Sequence, residues 1–291
     1  MKKPYKSLSE KYAKEGKGRL SKEEAAAYVE ARMPATQAVV TRILSEVAEK
    51  IDHPITSLLD LGAGPGTASL AAEEIFSLEK ITLVEENPVM ADMKVVEGDW
   101  LLQSFIGGKW EPHDLVIFSY SLGEIDEKHY SAVLQEAWDK GKVVLVVEPG
   151  TPRGFAHILK ARQLLIDFGG QVIAPCPHEK PCPMKGGWCH FAERLPRTSA
   201  HRKAKGGSLG WEDEKFSYVV VSKSGGQRTT ARVLHTPKKG SGHIELTLCM
   251  DEGIEKKTVS RKEGPLYKRA RKLKWGDDFL EYEGLTPHTK P

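Results

Sequence analysis

Cysteine is scarce in this chain, which has four in 291 residues. So low a content argues against the dense disulfide framework of a small secreted domain. Hydrophobic runs are short too, and none approaches the ~18 apolar residues of a membrane-spanning helix. The basic N-terminal stretch lacks the apolar run of a signal peptide. We therefore expect a cytoplasmic, monomeric protein with reduced thiols and no membrane partner, and a metal site explains the cysteines better than disulfides.

The net charge of +3 conceals a strong asymmetry along the chain. Residues 51–193 contain eleven Lys or Arg against twenty-one Asp or Glu, whereas residues 194–275 contain twenty against eight. A basic block of this size often forms a face for nucleic acid. A solvated basic surface that binds nothing is the alternative, and composition alone leaves both open.

Hydrophobic periodicity divides the chain into four parts. Residues 1–50 show helical spacing and form a predicted N-terminal helical extension. Residues 51–170 alternate short apolar runs with helical stretches, which is typical of a parallel sheet covered on both faces. Residues 171–205 form a cysteine-rich segment, and the basic residues 206–291 alternate like antiparallel strands that complete the sheet. The predicted class is therefore α/β, with a Rossmann-like core.

The stretch "SLLDLGAGPGTASLAAEE", residues 57–74, predicts a ligand-binding loop between a strand and a helix. Gly62, Gly64 and Gly66 leave room for a ligand to approach the backbone. A glycine triplet alone also fits a dinucleotide site. The acid Asp60 favours S-adenosylmethionine, because a carboxylate there can hold the cationic amino acid part of that cofactor. This stretch resembles the first motif of the class I S-adenosylmethionine methyltransferases.

Two further acids fall where that fold places cofactor contacts. Glu85 ends the second predicted strand, where a carboxylate can accept both hydrogen bonds of a ribose diol. Asp99 follows the third predicted strand, and the resemblance implies that it contacts the adenine amino group. The fourth strand ends in Ser119, Tyr120 and Ser121 in place of the Asn or Asp and two prolines of base-nitrogen methyltransferases. Cofactor binding is thus predicted, and catalytic residues are not identified.

The cysteines are spaced widely. None forms the tight C-x2-C pair usual in zinc sites. Wide spacing suits the larger body of an iron–sulfur cluster, although zinc remains open. His178 and His190 are reserve ligands. The four candidate ligands are Cys176, Cys182, Cys189 and Cys249.

Several stretches together resemble one family. They are "AYVEARMPAT", "LDLGAGPGTA", "VVEPGTPRGF", "CPHEKPCPM", "WCHFAERLPRT" and "YKRARKLKWGD". The family is that of methyltransferase-like proteins associated with the small subunit of the mitochondrial ribosome, with their bacterial relatives. The resemblance implies a class I fold, one [4Fe-4S] cluster on the four cysteines, and binding to small-subunit ribosomal RNA or 30S assembly intermediates.

The basic C-terminal stretch contains the candidate RNA contacts. Arg269, Arg271 and Lys272 are predicted to meet phosphates. The rings of Tyr267 and Trp275 either stack on bases or pack in the core.

Two functions from different classes follow. The first is an S-adenosylmethionine-dependent methyltransferase acting on small-subunit ribosomal RNA. The second is a non-catalytic small-subunit assembly factor that uses the same fold to bind RNA. A small-molecule methyltransferase with a structural zinc is a third, weaker alternative.

Overall fold

The computed structural model describes residues 21–196 and 210–279. The first twenty residues of the predicted N-terminal extension, the basic stretch 197–209 and residues 280–291 lie outside it. The helices are α1 Lys22–Ala31, α2 Met33–Lys50, α3 Thr67–Glu73, α4 Pro88–Ala91, α5 Tyr130–Lys140, α6 Pro152–Asp167 and α7 Pro265–Ala270. The strands are β1 Ser57–Leu61, β2 Lys80–Glu85, β3 Asp99–Leu102, β4 His113–Ser119, β5 Gly141–Pro149, β6 Gln171–Ala174, β7 Phe191–Pro196, β8 Trp211–Ser222, β9 Ala231–Val233, β10 Lys238–Lys239, β11 His243–Met250 and β12 Gly253–Ser260.

Helix α2 forms where the apolar residues follow helical spacing. Proline lies in its first turn, where a missing N–H costs nothing. Its apolar face is buried against the main sheet and comprises Val39, Val40, Ile43, Leu44 and Val47. The periodicity of the N-terminal region therefore predicted this helix correctly.

The main sheet is mostly parallel. Its order is β3-β2-β1-β4-β5-β8-β6, with β7 also paired to β8. Strands β1 to β5 run parallel to one another, and β8 runs antiparallel to β5 and β6. Because helices cover both faces, β4 and β5 are almost entirely apolar and buried. The order reverses at β1, and such a reversal opens a ligand crevice at the carboxyl ends of the strands.

The cysteine-rich segment projects from one edge of β8. Phe216 of β8 pairs with Pro149 of β5 on one side and with Phe191 of β7 on the other. Strands β6 and β7 therefore lie along the same edge of β8. Residues 175–190 leave the sheet after β6 and return to it at β7, as a loop beside this edge.

The C-terminal strands divide between two sheets. We expected them to complete the main sheet, and β8 does so. Strands β9–β12 instead form a second, antiparallel sheet. The reason is that their apolar residues pack into a core of their own against α7, which includes Val233, Leu246, Leu248 and Tyr267.

A buried ion-pair network joins the second sheet to α2. Arg232 of β9 is 2% exposed and pairs with Glu46 of α2 and, at 2.8 Å, with Asp278. Lys50 also pairs with Asp278, at 2.7 Å. The Tyr218 hydroxyl of β8 donates to Glu46 at 2.8 Å. Both sheets are thus tied to one helix.

Candidate functional site

The glycine loop after β1 depends on residues without side chains. Gly62, Gly64 and Gly66 have φ angles of +80°, +57° and +89°, in the left-handed region that glycine tolerates. A Cβ at Gly62 would lie 2.4 Å from Ser121 Cβ, and one at Gly66 would lie 2.6 Å from Val96 Cγ1. These two glycines therefore allow close packing of the loop on its neighbours.

Gly64 differs, because a Cβ there would meet only Met90 Cε, at 3.5 Å. Its backbone N–H donates to Glu85 Oε2 at 2.8 Å, and Glu85 Oε1 accepts from the Asn87 N–H at 2.7 Å. Burial raises the pKa of Glu85 above its usual range. The structure thus brings Gly64 and Glu85 together, and each carboxylate oxygen keeps a second lone pair for a ligand.

Asp60 is fully buried on β1 beneath the loop. Its Oδ2 accepts a hydrogen bond from Ser69 Oγ at 2.7 Å, whereas Oδ1 has no partner among the described residues. Burial raises the pKa of Asp60 to about 7, although the Ser69 hydrogen bond opposes the rise. A carboxyl group with this pKa ionises readily when a cation arrives. Sequence reasoning missed Ser69, which no motif marks.

Asp99 does not lie where we expected it. It begins β3 opposite Thr82, whereas Glu85 lies opposite Leu102 at the other end of that strand. The interpretation that Asp99 follows the third strand was therefore wrong, because pairing with β2 starts at Asp99. Its side chain is exposed, so its position gives no support to the predicted adenine contact.

The end of β4 borders the same crevice. Ser121 Oγ donates to the Leu61 carbonyl at 2.6 Å and so braces the glycine loop. Tyr120 has a φ of +58°, which costs a residue with a side chain about 1–3 kcal/mol. The Ser119 hydroxyl is buried. This segment positions the glycine loop, and the strained Tyr120 lies beside Ser121, which braces that loop.

All four cysteines line one cavity of about 40 Å³. Three belong to the 175–190 loop and the fourth, Cys249, belongs to β11 of the second sheet. The cavity is bounded by α6, the loop, β8 and the second sheet, and its other lining residues include Phe155, Arg162, His178, Met184, Tyr218, Arg232 and Leu234. This cavity, which Cys176, Cys182, Cys189 and Cys249 line, is hereafter called the thiol cavity.

The thiols are close enough to influence one another. Burial raises the pKa of Cys176, raises that of Cys189 well above its usual value, and raises that of Cys249 to about 12. Neighbouring thiols add to the rise at all three positions, whereas the Arg162 guanidinium lowers the pKa at Cys176 and Cys249. Cys176, Cys189 and Cys249 are therefore protonated near neutral pH in the metal-free protein.

In residues 21–196 and 210–279, no three His, Cys, Asp or Glu side chains are close enough to hold a single metal ion. His178 lines the cavity, and its Nε2 lies 4.0 Å from Cys249 Sγ. His190, the other reserve ligand, instead stacks on Trp188 with ring centroids 5.1 Å apart. Both metal assignments, cluster and zinc, therefore remain predictions.

Sequence reasoning missed two buried arginines in the cavity wall. Arg232 belongs to the ion-pair network of α2. Arg162 lies on α6 between Ile158 and Leu165, at the spacing of the buried face of that helix. A cation at an apolar helix position was the signal that could have identified it.

The cysteine loop and the glycine loop share the carboxyl edge of the main sheet. Trp188 Nε1 donates to the carbonyl of Gly150, just after β5, at 2.9 Å. Strand β5 is separated from β1 only by β4. The glycine loop and the cysteine loop are therefore supported by strands two places apart.

The candidate RNA contacts lie at the end of α7. Arg269 is partly buried, and Arg271 and Lys272 are exposed. Tyr267 is 7% exposed in the core of the second sheet, so its ring packs rather than stacks on bases. Trp275 is half-buried and meets His190 edge to face, at 4.8 Å.

The sheet order, the glycine loop after β1 and the acid at the end of β2 define an α/β protein with the class I S-adenosylmethionine methyltransferase fold, as predicted. The family model described as "Mitochondrial small ribosomal subunit Rsm22" matches residues 22–280. The chain belongs to this family.

Several curated relatives are similar to the chain. The human "Ribosome assembly protein METTL17, mitochondrial" is 29% identical over 289 residues, covering 86% of this chain and 61% of that protein. "Rsm22-cox11 tandem protein 2, mitochondrial" of Schizosaccharomyces pombe is 26% identical over 363 residues, covering 98% of this chain and 46% of that protein. The chain thus spans about half the length of the curated relatives it matches.

Two solved structures illustrate the similarity in fold. A SAM-dependent methyltransferase from Archaeoglobus fulgidus is 12% identical with a TM-score of 0.43, over 68% of this chain and 98% of that one. Magnesium protoporphyrin IX methyltransferase from Synechocystis, with bound SAM, is 13% identical with a TM-score of 0.41, over 74% and 91%. Similarity at this level concerns the fold alone.

The relatives' names bear on the predicted location. They place those proteins in mitochondria and so give no support to a cytoplasmic location. In the part of the chain that the structure describes, no helix is long and apolar enough to cross a membrane.

Proposed function

We propose that this chain is a small-subunit ribosome assembly protein that binds ribosomal RNA, S-adenosylmethionine and one thiolate-bound iron–sulfur cluster. The observation that carries the proposal is the extent of the family match, which includes the glycine loop and all four cysteines. The choice of ribosome assembly as the process is based on the relatives that are named as ribosome assembly proteins.

The glycine loop suits S-adenosylmethionine. The open side of Gly64 admits a ligand to the backbone, and Glu85 beside it offers acceptors to a ribose diol. The buried Asp60 offers an oxygen without a protein partner to the ligand's cationic amino acid part. When bound, this cofactor would supply an activated methyl group.

The thiol cavity suits a cluster better than a single ion. Zinc needs its four thiolates within about 2.3 Å of one centre. In the described residues, no group of three or more His, Cys, Asp or Glu side chains is placed to hold a metal ion, although all four thiols line one cavity. A four-iron cluster is larger and takes one thiolate at each iron, so its ligands stand further apart.

The second sheet offers the RNA face. Its strands bear the exposed Lys238, Lys239 and Lys256, and the exposed Arg271 and Lys272 follow α7, which packs against it. Exposed cations of this kind bind phosphate backbones and supply affinity that depends on salt.

Crosslinking in cells followed by sequencing of the bound RNA tests the role in assembly. We expect crosslinks to concentrate on small-subunit ribosomal RNA and the protein to sediment with small-subunit precursors. Crosslinks spread over total RNA in proportion to abundance would contradict the proposal.

A second candidate is methyl transfer to that RNA, and the intact glycine loop with Asp60 and Glu85 favours it. The end of β4 counts against it, because Ser121 braces Leu61 and the usual base-nitrogen signature is replaced by Ser119, Tyr120 and Ser121. Purified protein, radiolabelled S-adenosylmethionine and small-subunit particles from cells lacking the protein decide between the two. Radiolabel in the RNA would establish methyl transfer. Cofactor bound to the protein with no radiolabel in the RNA would favour the non-catalytic binding role.

A further inference from the structure

Two arginines line the thiol cavity, and only one is balanced by acids. Arg232 is held by Glu46 and Asp278, so its charge is already compensated. Arg162 is also buried, at 3% exposure, yet no carboxylate in the described chain pairs with it. A buried cation without an anion is strongly disfavoured in a protein interior.

The hydrogen bonds of Arg162 leave part of its guanidinium free. One terminal nitrogen donates to the carbonyl of His178 at 2.6 Å and to that of Lys180 at 3.1 Å. These bonds hold the cysteine loop against α6. The Nε–H is buried and has no partner in the described residues. The guanidinium lies beside the Cys176 thiol and also acts on Cys249.

We infer that Arg162 is the counter-ion of a negatively charged, thiolate-bound metal centre in the cavity, and that its Nε–H donates to a sulfur of that centre. The inference rests on the proposed metal site. Four thiolates carry four negative charges, which exceed the charge of a zinc ion and that of a four-iron cluster core alike. Arg232 also lines the cavity, but its charge is already balanced by Glu46 and Asp278, so Arg162 supplies the compensation that thiolate ligation requires.

Arg162 should affect both the retention of the metal centre and its reduction potential. Charge and hydrogen bonds around the sulfurs control retention and reduction potential of a cluster. Reduction adds one negative charge, which a neighbouring guanidinium stabilises. Arg162 should therefore make the centre easier to reduce as well as harder to remove.

The test compares the full chain with Arg162→Gln and Arg162→Lys, purified anaerobically and reconstituted with ferrous iron and sulfide. Arg228→Gln is the matched control, because Arg228 also bonds the cysteine segment, at Glu179 and Val172, without lining the cavity. We expect Arg162→Gln to lose iron to an Fe(II) chelator about tenfold faster than wild type. Its midpoint potential should become more negative, Arg162→Lys should lie between, and the control should match wild type.

Thermal unfolding separates this role from a structural one. If Arg162 only fastened the loop, Arg162→Gln would lower the melting temperature equally with and without metal. The counter-ion role predicts a larger loss in the metal-loaded protein. Equal shifts, or unchanged iron retention and potential, would overturn the inference while leaving the cluster intact.

The metal content of wild type distinguishes the remaining outcomes. A zinc-loaded wild type whose zinc is lost about tenfold faster in Arg162→Gln would overturn the cluster but support the counter-ion. A wild type that binds neither iron with sulfide nor zinc would overturn the metal site and this inference together.

Discussion

Cys249 Sγ lies 4.0 Å from His178 Nε2, although 71 positions separate the two residues. Cys249 belongs to the second sheet and His178 to the loop that leaves the main sheet. The contact therefore joins the two sheets at the wall of the thiol cavity. A metal held there would link the second sheet, with its basic surface, to the main sheet that bears the glycine loop.

The buried ion-pair network is expected to contribute to the same junction. Arg232→Met should cost about 3–5 kcal/mol in the free energy of unfolding, because Glu46 and Asp278 lose their buried partner. Arg194→Met is the control, since Arg194 is 63% exposed in its pair with Asp213 and should cost no more than about 1 kcal/mol. Urea unfolding of both variants measures the difference. Equal losses in the free energy of unfolding would show that the buried network contributes no more than an exposed ion pair.

The buried Asp60 should make the cofactor-free protein less stable at neutral pH. Its pKa is raised from 3.8 to about 7, so the folded state holds a proton that the unfolded state releases between these values. Stability from this group is therefore complete below about pH 4 and is lost as the pH rises through 7. Asp60→Asn should exceed wild type by up to about 4 kcal/mol at pH 8 and gain little at pH 4. A constant difference between the two proteins across urea titrations from pH 4 to 8 would count against a raised pKa.

The same residue should make cofactor binding depend on pH. A cationic ligand group favours the carboxylate form of Asp60, so affinity for S-adenosylmethionine should rise from pH 6 to 8. Asp60→Asn should bind more weakly, and its affinity should change less over this range. Calorimetry at several pH values measures both, and parallel profiles for the two proteins would refute the role of Asp60.

Gly64→Asp should abolish cofactor binding, because it puts a negative side chain on the open face of the loop. Gly169→Asp is the matched control: Gly169 has a φ of +92° and open space around it, but it precedes β6 at the other edge of the main sheet. Both variants should lose a similar amount of stability, about 1 kcal/mol. In titration calorimetry, only Gly64→Asp should lose its affinity for S-adenosylmethionine. If Gly64→Asp keeps this affinity, the loop is not part of the cofactor site.

The basic end of α7 should control the salt dependence of RNA binding. Replacing Arg269, Arg271 and Lys272 by alanine should weaken binding to ribosomal RNA and reduce the slope of log affinity against log salt by about two. The control replaces Lys94, Lys109 and Lys128, which are exposed lysines of the acidic part of the chain. Identical slopes for the two triple variants would show that Arg269, Arg271 and Lys272 do not contact the RNA.

Sequence reasoning was most accurate for the features that hydrophobic periodicity and glycine spacing determine. The parallel sheet, helix α2 and the loop of Gly62, Gly64 and Gly66 follow from local patterns. Asp99 was misplaced, because strand boundaries depend on pairing with β2, which a local pattern does not reveal. The second sheet was missed for a related reason: alternation marks β11 as a strand without naming its neighbours. Arg162 and Ser69 act through contacts between distant elements, so a single sequence gave no motif for them.

The central claim is that the four cysteines hold one iron–sulfur cluster, and the metal content of Cys249→Ser tests it most directly. Thr247→Ser, on the same strand, is the control. Anaerobically purified wild type and control should be brown, with about four irons per chain, and Cys249→Ser should lose most of the iron and become more sensitive to protease between residues 170 and 210. A colourless wild type with one zinc per chain, or a Cys249→Ser variant with unchanged iron, would contradict the account.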